Sequence, residues 1–449
     1  MSRVAIVTLG CPKNAIDSEG LAGLVAAGGH SVVEEPDAAE VILVNTCGFI
    51  DPARRETIQE ALDLAELKET GSARGLILTG CLVARSAGDL AEALPEVDAF
   101  IDFAAYPRVA EIVSQTADGT LQERVHGTPG TRFDPAWWDA SIAASPRLRF
   151  GRSPWAYVKI AEGCDRGCTF CAIPLMRGKF RSRSSDTVAS EIEALVAQGV
   201  TEFSLVSQDS VMWGRDTGEG DLVELLERLE LIDGVRRIRL MYLHPQGVNE
   251  RLIEHVLQSD KLVHYFDLSL QHVSPPVLKM MGRWGGRDRF QNMVDRIRAG
   301  DPMAGIRSTF ILGFPGERES DAAEVDAFVA DTDLDWIGTF TYSLEEGTRS
   351  FDLADRVPEA TARARAERVQ GLADNVMERR ARSLTGNTLE TLVERFDIEQ
   401  QVWIGRSQRE APEIDGEIRF SAKGKLSVGD YVPVSITGND GADLLGRAS

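Results

Sequence analysis

No stretch of the 449 residues approaches the roughly eighteen consecutive apolar positions that a membrane-crossing helix needs, so no membrane partner is expected. The opening residues Met1-Ser2-Arg3-Val4-Ala5-Ile6-Val7 run into a strand pattern instead of a signal peptide, which points to the cytoplasm. Basic residues are the minority charge: 49 Lys and Arg stand against 70 Asp and Glu, a net of -21. An excess of that sign opposes non-specific attraction to nucleic acid and suits a basic partner. Cysteine is scarce too, at 6 residues. In a reducing compartment disulfides are not expected, and the thiols are candidate ligands first. Core material is not lacking. A hydrophobic share of 43% with 27% charged residues is a globular composition, and the length implies two to four domains.

Three of the cysteines lie in Gly163-Cys164-Asp165-Arg166-Gly167-Cys168-Thr169-Phe170-Cys171. Three thiolates on one short loop can each take a corner of a cubane [4Fe-4S] cluster, leaving one iron without a protein ligand and open to chemistry. A structural zinc site would need a fourth Cys or His close by. After Cys171 the next such residue is His244. The surrounding Gly, Asp and Arg are not an apolar context in which thiols simply pack.

The fold class read from the pattern is α/β. Residues 1–118 alternate strand and helix, with strands at 4–9, 41–44 and 76–78 and helices at 18–27 and 53–67, which implies a parallel sheet. Cys11, Cys47 and Cys81 each follow one of these strands, and the carboxyl ends of parallel strands are where ligands gather. Placement alone leaves open whether the three converge or are unrelated buried thiols. Residues 119–149 dissolve into Gly, Pro and Trp, as in Gly127-Thr128-Pro129-Gly130, and read as a linker whose Trp137-Trp138 pair packs at a domain interface.

Residues 150–383 carry six strand-like runs, at 155–160, 202–206, 237–242, 265–270, 307–312 and 336–342, with helical patterns such as 187–198 and 289–298 between them. That is the rhythm of a partial (β/α)6 barrel with its active site at the carboxyl-terminal mouth. Candidate cofactor contacts are the segments just past the strands: Ser207-Gln208-Asp209, Gln271-His272 and Gly313-Phe314-Pro315-Gly316-Glu317, the last able to bring its backbone close to a nucleoside. Arg177, Arg181 and Arg183 either hold a carboxylate through bidentate pairs or form a solvated loop face. His244 and His272 are given no role. A helix over 359–384 shows a buried stripe of Val369, Leu372, Val376 and Met377 and a face of arginines expected in solvent. Residues 384–449 hold five short strand patterns, at 388–396, 402–404, 417–420, 431–436 and around Leu444, which suggest a small closed β-barrel comparable to the OB type.

The Cys-x3-Cys-x-aromatic-x-Cys spelling, with Phe170 as the aromatic, resembles the signature of the radical S-adenosylmethionine (radical SAM) enzymes. Gly10-Cys11-Pro12-Lys13-Asn14 and Asn45-Thr46-Cys47-Gly48-Phe49-Ile50 look like the N-terminal domain of the radical SAM methylthiotransferases, and the terminal barrel resembles the TRAM domain, a module that presents substrate. Within that family, four stretches, Gly10-Cys11-Pro12-Lys13-Asn14, Cys47-Gly48-Phe49-Ile50, Ile173-Pro174-Leu175-Met176-Arg177-Gly178 and Ala411-Pro412-Glu413-Ile414-Asp415-Gly416, favour the branch that modifies an aspartate of ribosomal small-subunit protein S-twelve over the tRNA-modifying branch. An acidic terminal barrel agrees, since a tRNA binder should be basic there and a Lys/Arg-rich protein meets negative charge better. Asp165 stands where the family often has Asn, at a position that is not a ligand.

The resemblance implies two [4Fe-4S] clusters, one on Cys164, Cys168 and Cys171 and an auxiliary one on Cys11, Cys47 and Cys81, with SAM as cosubstrate gripped near Phe170, Gln208, Gln271 and Gly313. It implies insertion of sulfur and a methyl group at the beta carbon of the target aspartate by a 5'-deoxyadenosyl radical mechanism. It also implies a reductant protein as partner, with no direct nucleic acid required. That C–H bond is too weakly acidic for a side-chain base, which is why a radical route is needed. Rival readings are a tRNA adenosine methylthiotransferase, a non-enzymatic two-cluster redox protein, and a zinc-binding nucleic-acid module.

Overall fold

The computed structural model describes residues 1–71, 73–127 and 147–448; the Trp137-Trp138 pair and most of the linker lie outside them. The chain opens on an entirely parallel sheet of β1 (Arg3–Thr8), β2 (Ser31–Val33), β3 (Val41–Thr46), β4 (Gly75–Gly80), β5 (Ala99–Ile101) and β6 (Val125–His126), in the order β2-β1-β3-β4-β5-β6. Its central strands β3 and β4 are buried along their whole length, as a sheet covered on both faces requires. Three strands escape the sequence pattern because they run only two or three residues. The helix expected from residue 18 begins at Pro12, which suits a first helical position. Its first turns bury Asn14, Asp17 and Ser18 beside a single large apolar residue, Ile16, so hydrophobic periodicity could not reveal them.

The central unit contains β7 (Trp155–Lys159), the short antiparallel pair β8 (Ala161–Glu162) and β9 (Arg181–Ser182), β10 (Glu202–Val206), β11 (Arg237–Leu240), β12 (Tyr265–Gln271), β13 (Gly305–Leu312) and β14 (Trp336–Thr341). Parallel pairing links β7-β10-β11 and β12-β13-β14. Two isolated parallel bridges, Ile238 to Leu262 and Leu243 to Leu268, join the halves. Among the described residues β14 does not pair with β7, so the six strands form an open barrel wall.

The helix Glu359–Ser383 packs Val369, Ala373 and Val376 onto this barrel, with Leu372 and Met377 at the margin. Its arginines are not all in solvent, contrary to the sequence expectation. Arg365 is buried and ion-paired with Glu317 and Glu319, and Arg380 reaches Asp335, because carboxylates from the barrel lie opposite that face.

The last unit is the closed barrel β15 (Thr388–Asp397), β16 (Val402–Arg406), β17 (Ile418–Ala422), β18 (Tyr431–Asp440) and β19 (Asp443–Ala448), in the order β15-β16-β17-β19-β18. Residues 406–416 press against the amino-terminal ends of the larger barrel's strands. Arg406 pairs with Glu202 at the start of β10, Tyr157 donates to the Pro412 carbonyl at 2.7 Å, Arg239 donates to the Gln408 carbonyl at 2.9 Å, and Tyr265 donates to Asp415 at 2.6 Å. Trp336 donates to the Arg409 carbonyl, and a Cβ on Gly305 would come within 2.6 Å of that same oxygen. The described contacts of this segment therefore close the base of the barrel, opposite its mouth.

Candidate active site: two cysteine trios on one interface

Cys11, Cys47 and Cys81 follow β1, β3 and β4 at the carboxyl edge of the sheet, Cys11 capping one helix and Cys81 opening another. Gly10 has φ +95°, and a Cβ there would stand 2.7 Å from the Cys47 Cβ and 2.9 Å from its Sγ. Only glycine lets the Cys11 loop lie against Cys47. Burial pushes the Cys47 thiol up and the Cys81 thiol up to about 12; the other two cysteines of the trio add to the rise at Cys81, while Arg177 opposes it. The three sulfurs thus sense one another's charge. They need a cation to become thiolates, as a metal cluster would supply.

Cys164, Cys168 and Cys171 sit between β8 and the one-turn helix Ile173–Arg177. The Cys164 amide donates to the Gly178 carbonyl at 3.2 Å, Thr169 is hydrogen-bonded to Met280 and Met281, and Arg283 donates to the Cys168 sulfur at 3.4 Å. Burial raises Cys164 to about 11 and Cys171 to about 12, and the neighbouring thiols act in the same direction. Burial, together with Arg283 and Arg166, lowers the His244 imidazole to about 2 and keeps it neutral, and its Nδ1 accepts from the Gln246 amide. Among the described residues no three His, Cys, Asp or Glu side chains gather closely enough for a single ion. Six unbridged cysteines in two mutually sensing trios fit clusters that spread three sulfurs over three corners.

The remaining sequence candidates lie at the barrel mouth. Phe170 is half-buried against Val277, Met281 and Phe314. Gln208, two residues past β10, donates from Nε2 to Glu162 at 2.6 Å, and its buried Oε1 has no hydrogen-bond partner. Gln271 has φ +70° and donates to Thr309 at 3.3 Å. At Gly313 a Cβ would come within 2.2 Å of the Ala362 Cβ, so glycine is required there by packing against the helix Glu359–Ser383.

The solvated-face alternative holds for Arg181 alone. Arg177 is buried beside the first trio, and Arg183 is buried against Glu191 and the Lys159 carbonyl, while Arg181 is exposed. A buried polar network that sequence reasoning missed fills the junction. Asp17 pairs with Lys159 at 2.5 Å and with Arg177 at 2.7 Å, and Glu162 pairs with the same two cations at 2.7 and 3.0 Å. Burial alone would raise Glu162; Arg177 and Lys159 more than offset it and hold the carboxylate below its usual range. Lys13 completes the contact, its ammonium 3.3 Å over the Tyr242 ring and 3.5 Å from the Ser207 carbonyl.

A second clamp follows β14. Glu345 is buried and accepts from Arg54 and Arg85 of the first domain, and Arg85 also reaches the Gly48 and Glu346 carbonyls. The same segment holds the other cysteine loop, through Arg349 to the Gly167 carbonyl and the Ser350 amide to the Thr169 carbonyl. One short stretch of chain therefore grips both thiol-bearing loops.

With this geometry in hand, comparison with known proteins is specific. Residues 3–102 match the family described as uncharacterized protein family UPF0004, residues 158–329 the radical SAM superfamily, and residues 385–448 the TRAM domain. The chain is 38% identical to the ribosomal protein uS12 methylthiotransferase RimO of Streptomyces avermitilis, over 98% of this chain and 96% of the relative. The protein of that name from Heliobacterium modesticaldum is 40% identical over 99% and 95%, and that from Geobacter sulfurreducens 39% over 99% and 98%. Among solved structures, the radical SAM methyltransferase TsrM from Kitasatospora setae superposes with a TM-score of 0.54 at 16% identity, covering 77% of this chain and 73% of its own. At that identity the likeness is one of fold. No helix among the described residues is long and apolar enough to cross a membrane.

Proposed function

The chain belongs to the family of ribosomal protein uS12 methylthiotransferases named RimO, and from that premise we propose which of its residues carry the reaction. It is a radical SAM enzyme that transfers a methylthio group, with SAM and [4Fe-4S] clusters as cofactors. When bound, these groups supply hydrogen abstraction at the beta carbon of an aspartate of uS12 and the sulfur and methyl group that replace the hydrogen.

Cys164, Cys168 and Cys171 hold the cluster that leaves an iron open for SAM, and Cys11, Cys47 and Cys81 hold the cluster that delivers sulfur. Phe170, Gln208, Gln271 and Gly313 line the SAM position at the mouth. Gln208 is aimed by its bond to Glu162, which leaves its unpaired Oε1 to accept from the cosubstrate. Lys13 over Tyr242 and the Glu345 clamp shut water out from the first-domain side, and residues 406–416 shut it out from the base. We divide the chain into a first domain at 1–118, a connector at 119–149 whose β6 returns to the edge of the first sheet, a radical domain at 150–383 and a terminal barrel at 384–449.

The substrate is basic uS12, drawn by a chain of net charge -21, with a reductant protein as electron source, no nucleic acid required and the cytoplasm as compartment. The observation that carries this reading is that Arg177, six residues past the Cys164–Cys171 loop, donates to the Cys81 sulfur of the first trio, and that residues 343–350 tie the same two loops together. The test is incubation of anaerobically reconstituted protein with SAM, a reductant and uS12. A methylthio mass gain on one aspartate is expected; a gain on tRNA adenosine with none on uS12 overturns the substrate.

A further inference from the structure

Arg177 belongs to the radical domain by sequence, six residues after Cys171, yet its guanidinium lies among residues of the first domain. Its Nε donates to the Cys81 sulfur at 3.2 Å, one terminal nitrogen donates to Asn14 Oδ1 at 2.7 Å, and the other donates to both Asp17 and Glu162. The ring of Phe103 stacks 4.7 Å from it, and the whole side chain is buried. A guanidinium in an ion pair frequently presents two nitrogens in parallel to one carboxylate. Here both carboxylates share a single nitrogen, which leaves Nε to face sulfur.

The charges of the network point the same way. Asp17 and Glu162 are balanced one for one by Lys159 and Arg177, so the network itself is neutral and the ammonium of Lys13, held over the Tyr242 ring, is a further cationic group close to the trio. The helix that carries Arg177 rises about 7.5 Å over its five residues, so the distance from the Cys171 loop to the Cys81 sulfur is spanned by one turn and one side chain.

We propose that Arg177 is a positioning residue for the first-domain cluster: its Nε–H bond to the Cys81 sulfur raises that cluster's reduction potential and fixes the Cys81 corner relative to the radical domain. Hydrogen bonds to cluster sulfurs and burial are among the main determinants of iron–sulfur potentials. The inference rests on the assignment of Cys11, Cys47 and Cys81 as cluster ligands.

The test uses the full chain with Cys164, Cys168 and Cys171 all replaced by Ala, so that only the first-domain cluster forms. In protein grown with nitrogen-15 arginine, pulsed electron paramagnetic resonance of the reduced cluster should show a weak arginine nitrogen coupling, absent in Arg177→Lys. Potentiometric titration should show the Lys variant, at equal iron and sulfide content, with about a tenfold lower ratio of reduced to oxidised cluster at a fixed potential, a shift of about 59 mV for one electron. Lysine keeps the charge but cannot reach four acceptors at once. A cluster without arginine nitrogen coupling, or a Lys variant that titrates with the parent, overturns the proposal. If the Lys variant takes up no cluster, the labelled parent decides alone. Loss of methylthio transfer to uS12 in the native chain would overturn the function and leave these two readouts intact.

Discussion

Replacement of Glu345 tests whether the two cysteine trios work only when the domains are locked together. Its carboxylate is 2% exposed and accepts from Arg54, which is 23% exposed, and from Arg85, which is 13% exposed. Removing one member of a fully buried ion pair costs 3–5 kcal/mol in general, and an exposed pair is worth about 1 kcal/mol or less. Because both arginines keep some contact with water, Glu345→Ala should weaken the interface by ~2 kcal/mol, between those limits. That corresponds to a fall in Tm of roughly 2 °C if the 449 residues unfold together. Glu345→Gln keeps the shape and one acceptor and should fall between the parent and Ala. Neither cysteine loop is altered, so iron content should stay at the parent level. Deoxyadenosine should still form while the yield of methylthiolated uS12 per deoxyadenosine drops, because the two trios no longer hold their spacing. The assay is parallel chromatography of both products with thermal denaturation of the same preparations. Equal Tm and equal product ratio in Glu345→Ala would refute the clamp.

Cys168→Ala should abolish deoxyadenosine formation, whereas Cys47→Ala should leave SAM cleavage and stop sulfur insertion; methylthiolated uS12 from the second variant would refute the role given to the first domain. Gly10→Ala forces a Cβ into the Cys47 side chain at φ +95°, so the iron content of the first trio should fall by half or more, read by iron analysis with the other trio replaced by Ala. Asp415 is pushed up to about 6 by burial, against the pull of Arg307, the Tyr265 hydroxyl and the Ala411 amide. Its folded value lies above the ordinary 3.8, so the folded chain binds the proton more tightly and this group's contribution to stability falls as pH rises from about 4 to about 6. The full difference amounts to ~3 kcal/mol. Asp415→Asn should remove that slope, so the variant's Tm relative to the parent should rise between pH 5 and pH 7; a constant difference would show that Asp415 does not titrate there.

The architecture was legible wherever strands alternate with helices over five or more apolar residues. All six strands of the open barrel and all five of the terminal barrel fall where the pattern places them, because residues such as Phe203, Leu205, Ile306 and Phe310 are fully buried. The cysteine positions were legible for the same reason: a residue just past a parallel strand must lie on the ligand edge of the sheet.

What escaped is polar and long-range. Asn14, Asp17, Lys159, Glu162 and Arg177 are all buried, yet they come from three segments, and no periodicity links a carboxylate in the first helix to an arginine 160 positions later. The only local signal was an interrupted apolar pattern after Cys11, where small and polar residues occupy a helix face that faces protein. The terminal barrel offers the same lesson. Asp415 looks like an ordinary turn residue in Ile414-Asp415-Gly416, and only the structure places it against Tyr265 and Arg307 at the base of the neighbouring barrel. Three of these buried charges lie at junctions between domains: Glu345 and Arg177 where the first domain meets the mouth, and Asp415 where the last domain meets the base. An interface of apolar residues alone would tolerate sliding by a residue or more. A guanidinium that must satisfy Cys81, Asn14, Asp17 and Glu162 together has one solution, and radical chemistry divided between two metal sites demands that single registration of one domain on another.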